Sequence, residues 1–251
     1  FRSVPDHITQ EGQTYKDSFD HGTERWTLAG ILQNSSNVGM IMAGENYPDE
    51  QRYEYLTKFG IGQPTGLNLP GESSGLLTNP SAWDLRTRNT ILFGQGYTVN
   101  ALQLNNVVAT IANKGVKQQQ SIIKSTTDAN GKTTETKKGE ATRVVDEKVA
   151  SDMMNAMESV AEGYNKFVKV DGYRMAAKSG TAEVQGSDGT LSSIISDYSV
   201  VIPADNPRYA VTVVMKDPNG VFGGLTAGPV SAQICEFLMQ KYEVPVSSPR
   251  K

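Results

Sequence analysis

The sequence predicts an α/β chain of the α+β type, with an antiparallel sheet packed between helical layers. Amphipathic helical stretches dominate the first part of the chain, three strand-type runs follow one another with short connections near its end, and a last helical stretch closes it. Strict alternation of strand and helix is absent, which disfavours a doubly wound parallel sheet.

Residues 1–24 are polar and without a helical stripe, and predict loops with one short strand. Over residues 25–45 apolar positions recur near a helical period, but Asn34, Ser35, Ser36 and Asn37 interrupt it. Short polar side chains compete for backbone hydrogen bonds and favour helix starts, so two helices meeting at a polar corner are expected. A helix over residues 48–59 has Pro48 at its first turn and Gly60 past its end. Residues 60–98, rich in glycine and proline, read as long connections. The string Phe93-Gly94-Gln95-Gly96 lacks both a third spaced glycine and a following Lys-Ser/Thr pair, so it is no phosphate loop. Residues 100–113 form an amphipathic helix closed by Gly115, and β-type runs over 121–127 and 132–136 flank an Asn130-Gly131 hairpin signal. A helix over 146–161 carries Met at core spacing. Strands are expected over 173–182, 197–202 and 209–216, the last as a buried central strand, and a helix over about 229–242.

Composition narrows the function. With 24 Lys and Arg against 27 Asp and Glu, the net charge of −3 and the lack of basic blocks beyond Lys137-Lys138 and Arg250-Lys251 argue against a nucleic-acid partner. A single cysteine, Cys235, forbids an internal disulfide, and with only His7 and His21 beside it no structural zinc set can be assembled; no metal is expected. No run approaches the roughly 18 apolar residues of a membrane span, so the 251 residues read as soluble, and they begin at Phe1, not Met.

Two short elements carry candidate chemistry: Ser35-Ser36-Asn37 at the helix corner, and Lys178-Ser179-Gly180-Thr181 on a strand. Alone each is weak, since an S-x-N tripeptide arises about once in a chain of this length by composition and serves as a helix cap. In this order, however, they are the second and third elements of the S-x-x-K, S-x-N, K-[ST]-G set of acyl-serine enzymes. Their surroundings, NSSNVGM at 34–40, FGQGYTVNALQLNNVVATIANKG at 93–115 and AAKSGTAE at 176–183, resemble the transpeptidase domain of class B penicillin-binding proteins from about residue 14 to 242.

The resemblance implies the penicillin-binding and serine β-lactamase-like fold, without a cofactor, acting on D-Ala-D-Ala stem peptides and β-lactams outside the cytoplasm, on a parent anchored to the bacterial membrane by an upstream segment. It implies that Ser35 relays a proton to the departing amine and Asn37 binds the substrate amide carbonyl. Lys178 would provide fixed positive charge, and the Ser179 and Thr181 hydroxyls would bind the substrate carboxylate. The Thr181 N–H would form half of an oxyanion hole, while Gly180 would let substrate lie against the strand. Division or elongation proteins are implied as partners.

The first element, a helical S-x-x-K, belongs several dozen residues before Ser35, and neither Ser3 nor Ser18 has Lys at the fourth position. Ser121 with Lys124 and Ser248 with Lys251 match the spacing but fall in a β-type run and a Pro-containing tail, whereas the nucleophile needs a helix that puts Ser and Lys on one side. The expectation is therefore a partial transpeptidase domain over 1–245 with a flexible tail over 246–251, inactive alone and completed by the missing segment or a swapped chain. A non-catalytic cell-wall sensor or division scaffold is the rival reading. A serine β-lactamase is the weaker one, for lack of an E-x-x-L-N motif between the two elements. His7 and His21, in polar loops, are expected as surface or turn residues, Cys235 in the core, Trp83 and Tyr97 in the core or at the cleft edge, and residues 183–193 as a lip over the cleft.

Overall fold

The computed structural model describes residues 1–137, 139–184, 190, 193–219 and 222–249. The polar N-terminal stretch contains more strand than expected. β1 (Arg2–Val4) pairs antiparallel with β4 (Glu24–Trp26), and between them β2 (His7–Gln10) and β3 (Gln13–Lys16) form a hairpin. Its turn residues Glu11 and Gly12 both have positive φ, 44° and 80°, the twist that matches paired strands. Strands of three or four residues are too short for apolar alternation to register.

The predicted polar corner is present. α1 (Leu28–Gln33) is capped by Thr27, whose hydroxyl accepts from the Gly30 N–H, and α2 (Asn37–Gly44) by Ser36, which accepts from Gly39. α3 (Asp49–Phe59) starts after Pro48 and ends on Gly60 at φ 100°, a left-handed cap that suits glycine. The stretch read as connections holds a further short helix, α4 (Leu85–Thr90), capped by Asp84, with buried Trp83 just before it. α5 (Ala101–Ala112) opens with a reciprocal capping box between Asn100 and Gln103. Beyond it β5 (Val116–Gln118) pairs with β8 (Ala141–Arg143), and β6 (Ser125–Thr127) with β7 (Thr133–Glu135) around the Asn130-Gly131 turn.

α6 (Glu147–Gly163) leads to the main sheet of β9 (Ala176–Val184), β10 (Ser193–Ile202) and β11 (Tyr209–Lys216), antiparallel in the order β11-β10-β9. The strand expected at the centre, β11, is thus an edge among the described residues; β10 is central and the more deeply buried. α7 (Gly223–Lys241) starts six residues earlier than expected and keeps Pro229 inside it. Proline removes one helical hydrogen bond, which would have paired the Leu225 carbonyl, and Leu225 is exposed enough for water to replace it.

The sheet is the middle of a sandwich. Ala177, Tyr198, Val200 and Ile202 pack against Ala227, Ala232, Cys235 and Met239 of α7. On the other face Ala176 and Val201 meet Val108 and Ile111 of α5 and Met157 of α6. A third cluster, Val4, Ile31 and Val38, is almost fully buried and fastens the α1–α2 corner to β1. Burial of side chains of this size contributes about 1.5–3 kcal/mol each. In the stretch expected to be a flexible tail, Ser247 donates to the Gly172 carbonyl and to Asp205, and the Ser248 N–H also donates to Asp205. Among the described residues no helix is long and apolar enough to cross a membrane.

Candidate active site

The corner between α1 and α2 is built by a specific helix ending. The Ser36 N–H donates to the Ile31 carbonyl and the Ser35 N–H to the Leu32 carbonyl, each at 3.1 Å, while Ser35 itself is left-handed at φ 51°. That is the Schellman arrangement, with Ser35 in the position that glycine usually takes. A left-handed L residue costs about 1–2 kcal/mol, and it leaves the Ser35 hydroxyl on an exposed residue at the corner.

It points at Lys178. The Lys178 Nζ donates to Ser35 Oγ at 2.8 Å and to the Ser179 carbonyl at 2.6 Å. Burial holds the Lys178 ammonium down to about 8, against a partial upward pull from Asp197. Asp197 sits opposite Gly180 in the β9–β10 register and shares a sheet face with Lys178. Burial raises its carboxyl to about 6, with Lys178 pulling it down. Tyr97, raised first by burial and then by the Asp197 charge, borders the same region.

The other predicted residues divide. Asn37 donates through Nδ2 to the Lys16 carbonyl at 3.1 Å, which leaves its second amide hydrogen and its side-chain carbonyl for another partner. Ser179 and Thr181 lie on the opposite face of β9 from Lys178. The Ser179 hydroxyl is 3.1 Å from the Tyr164 hydroxyl, and Thr181 Oγ1 accepts from the Gly223 N–H at 3.1 Å, leaving its hydrogen to donate elsewhere. Gly180 has a further reason to be glycine: a Cβ there would lie 2.0 Å from Asp197 Oδ2. Ser121 and Lys124 are in irregular backbone ahead of β6, with the Ser121 hydroxyl donating to the Ile123 carbonyl. Most of the expected 183–193 lip lies outside the described residues.

Four residues that the motifs did not flag belong to this neighbourhood: Asp17, His21, Tyr164 and Asp197. Only Asp197 carried a sequence signal, as a lone carboxylate within an apolar strand. His21 lies in irregular backbone as a loop residue would, but not at the surface: its side chain is 7% exposed and donates to Asp17, whose side chain is 0% exposed.

The profile of the Penicillin binding protein transpeptidase domain matches residues 4–236. The chain belongs to the class B penicillin-binding protein transpeptidase family. Penicillin-binding protein PbpB of Mycolicibacterium smegmatis is 34% identical over 258 residues, covering 97% of this chain and 40% of that protein. Peptidoglycan D,D-transpeptidase FtsI of Escherichia coli is 37% identical over 213 residues, covering 83% of this chain and 34% of its own length. A peptidoglycan synthetase from Bifidobacterium adolescentis is 69% identical with a TM-score of 0.95, covering 100% of this chain and 46% of that one. Penicillin binding protein 3 of Mycobacterium tuberculosis, complexed with aztreonam, is 33% identical with a TM-score of 0.88, covering 99% and 58%. This transpeptidase-family chain therefore spans about two fifths of the PbpB relative. The mixed helical and antiparallel architecture expected from sequence is that of the penicillin-binding protein structures.

Proposed function

We propose that these residues form part of the acyl-transfer cleft of a peptidoglycan D,D-transpeptidase, a partial domain over 1–245 working on the outer face of the bacterial membrane. The observation that carries the reading is the 2.8 Å hydrogen bond from Lys178 to Ser35, which joins the S-x-N and K-S-G elements across the fold. In this reading a serine outside the 251 residues passes its proton to the lysine of its own S-x-x-K element and attacks the carbonyl carbon of the penultimate D-alanine, and the C–N bond to the terminal D-alanine breaks. That lysine returns the proton to the serine when the acyl ester is resolved. Ser35 gives its proton to the leaving amine and is reprotonated by Lys178. An ammonium near pKa 8 surrenders that proton at far lower cost than an ordinary lysine, each unit being worth about 1.4 kcal/mol. An amine from a second stem peptide then attacks the acyl ester, and its proton returns along the same pair. Asn37 orients the peptide, the Ser179 and Thr181 hydroxyls hold its carboxylate, and the Thr181 N–H supplies one oxyanion donor. Division or elongation proteins are the partners this reading carries, with an anchor outside these residues.

Fluorescent penicillin followed by denaturing electrophoresis tests the reading. The longer protein takes a covalent label that falls with Lys178→Ala, and the 251-residue chain takes none. A label on Ser35 or Ser121 of the short chain defeats it.

A further inference from the structure

Behind the corner that carries Ser35 lies a buried Asp17–His21 pair. At the end of β3 the chain turns with the Asp17 N–H donating to the Asp6 carbonyl at 2.9 Å, which aims the Asp17 carboxylate at the start of α2. Its Oδ1 accepts from the Val38 N–H at 2.9 Å, and its Oδ2 accepts from Ser36 Oγ at 2.6 Å. Ser36 Oγ in turn accepts from the Gly39 N–H at 2.8 Å. Two orphan donors of the first turn are thereby satisfied, one directly and one through Ser36, by a negative charge where the helix end favours one. Asn37 is tied to the same strand end through the Lys16 carbonyl. The residues that follow Ser35, Ser36 to Val38, are thus fixed by the β3 terminus.

The third partner of Asp17 is His21, whose Nε2 lies 3.0 Å from Oδ2, while its Nδ1 lies 2.6 Å from the Gly22 carbonyl. A backbone carbonyl and a carboxylate both accept, so the two contacts suit a ring with hydrogen on both nitrogens, an imidazolium. Phe19 and Trp26 flank it at centroid distances of 4.9 and 5.0 Å, and Trp26 immediately precedes the cap of α1. Both helices of the corner are therefore anchored to this one cation.

We infer that Asp17, charged and oriented by the His21 imidazolium, is the positioning residue that holds Ser35 and Asn37 toward Lys178. The inference rests on the transpeptidase reading for the importance of Ser35, but the clamp itself does not. The charged groups facing His21 are Asp17 and Asp6, with His7 bound to Asp6. Burial alone would push the imidazole down; the hydrogen bonds to Asp17 and Gly22 and the two carboxylates outweigh it and hold it above its ordinary value. With a raised folded value, the clamp is complete below the ordinary histidine range and is lost as pH rises through the raised one.

Two measurements read the clamp without any chemistry. In Trp83→Phe, where Trp26 is the remaining indole, quenching by the adjacent imidazolium is released with a midpoint above about 6.5, and Asp17→Asn moves that midpoint down. Amide exchange at Val38 and Gly39 in the otherwise unmutated chain speeds at least tenfold in Asp17→Asn while that of β9 does not. A midpoint at or below about 6.5, or exchange that speeds in both places together, overturns the clamp. In the longer protein, Asp17→Asn slows penicillin acylation at least tenfold. His21→Gln, which keeps a donor but no charge, loses less at neutral pH and flattens the alkaline limb. Unchanged acylation in Asp17→Asn with the exchange effect present overturns the positioning role. A wild-type protein that takes no label defeats the transpeptidase reading and that role with it, and leaves the clamp standing.

Discussion

The Lys178 ammonium nitrogen and the Ser35 hydroxyl oxygen meet at 2.8 Å across 143 positions of sequence, and the serine does so from a left-handed backbone. Two demands compete at that residue, since the helix ending favours glycine and the hydrogen bond requires a hydroxyl. Ser35→Gly is expected to unfold near the temperature of the parent. It relieves a left-handed cost of about 1–2 kcal/mol against losses of roughly 0.5–1 kcal/mol in backbone entropy and about 0.5–1.5 kcal/mol for the Lys178 hydrogen bond. Ser35→Ala keeps the strain, loses the bond and should melt lower. Both variants should slow penicillin acylation of the longer protein by about 10²–10⁴-fold. Calorimetry in which Ala outlasts Gly would show that the left-handed cap does not govern this corner.

Lys178 and Asp197 make the pH dependence unusual. Lys178 is lowered to about 8, so between that value and its ordinary 10.5 the folded state binds fewer protons than the unfolded chain and stability rises with pH. Asp197 is raised from 3.8 to about 6, so over that interval the folded state binds more protons and stability falls as pH rises. Both costs coincide between pH 6 and 8. Asp197→Asn should raise the melting temperature at pH 7 and leave it nearly unchanged at pH 4. With its nearby carboxylate gone, Lys178 should titrate lower still, moving the acylation pH profile of the longer protein toward acid. A profile that moves toward base would contradict the assigned electrostatics.

Gly180 and Asp197 should be coupled. A Cβ at Gly180 would lie 2.0 Å from Asp197 Oδ2 and 2.8 Å from its Cγ, so Gly180→Ala costs about 1–3 kcal/mol, as overpacking does. The obstruction is the end of a side chain, so Asp197→Ala in the same protein should recover most of it in denaturant titrations. Gly223→Ala offers the contrast. Its Cβ meets the backbone oxygens of Asp197 and Gly180 at 2.2 and 2.4 Å, and trimming Asp197 should bring no rescue.

The helices and the sheet were legible where the signals were local. Asn100 and Gly115 mark both ends of α5, and Pro48 and Gly60 both ends of α3, because capping is decided within one turn. The order of the strands was not, since apolar content does not tell an edge from a centre: β11 read as central, yet β10 lies between the other two. The pairing of Ser35 with Lys178 followed from motif order and resemblance. Asp17 was invisible because its partners lie 19 and 21 positions away, beyond two strands too short to register. For Asp197 the apolar run that follows it places its carboxylate at a strand's end, whereas the structure sets it within β10.

Gln103 shows what holds the long connection of residues 60–76 against α5. Only 2% exposed, it donates through Nε2 toward the carbonyls of Gly60, Gln63 and Ser74, at 3.3, 2.7 and 2.8 Å, while its Oε1 accepts from the Asn100 N–H. A leucine would fill the same space and satisfy none of these groups. Each buried polar group left without its partner costs about 1–3 kcal/mol, so Gln103→Leu should lose more stability than a typical surface change, and Gln103→Glu, which keeps the acceptor but brings a carboxylate up to three carbonyls, should lose more still. Because the anchored backbone is that of the connection, proteolysis under native conditions should move there first, with cleavage between residues 60 and 76 appearing before any in β9 or β10. Cleavage that begins instead in the main sheet would mean that Gln103 supports the whole fold and not this one segment.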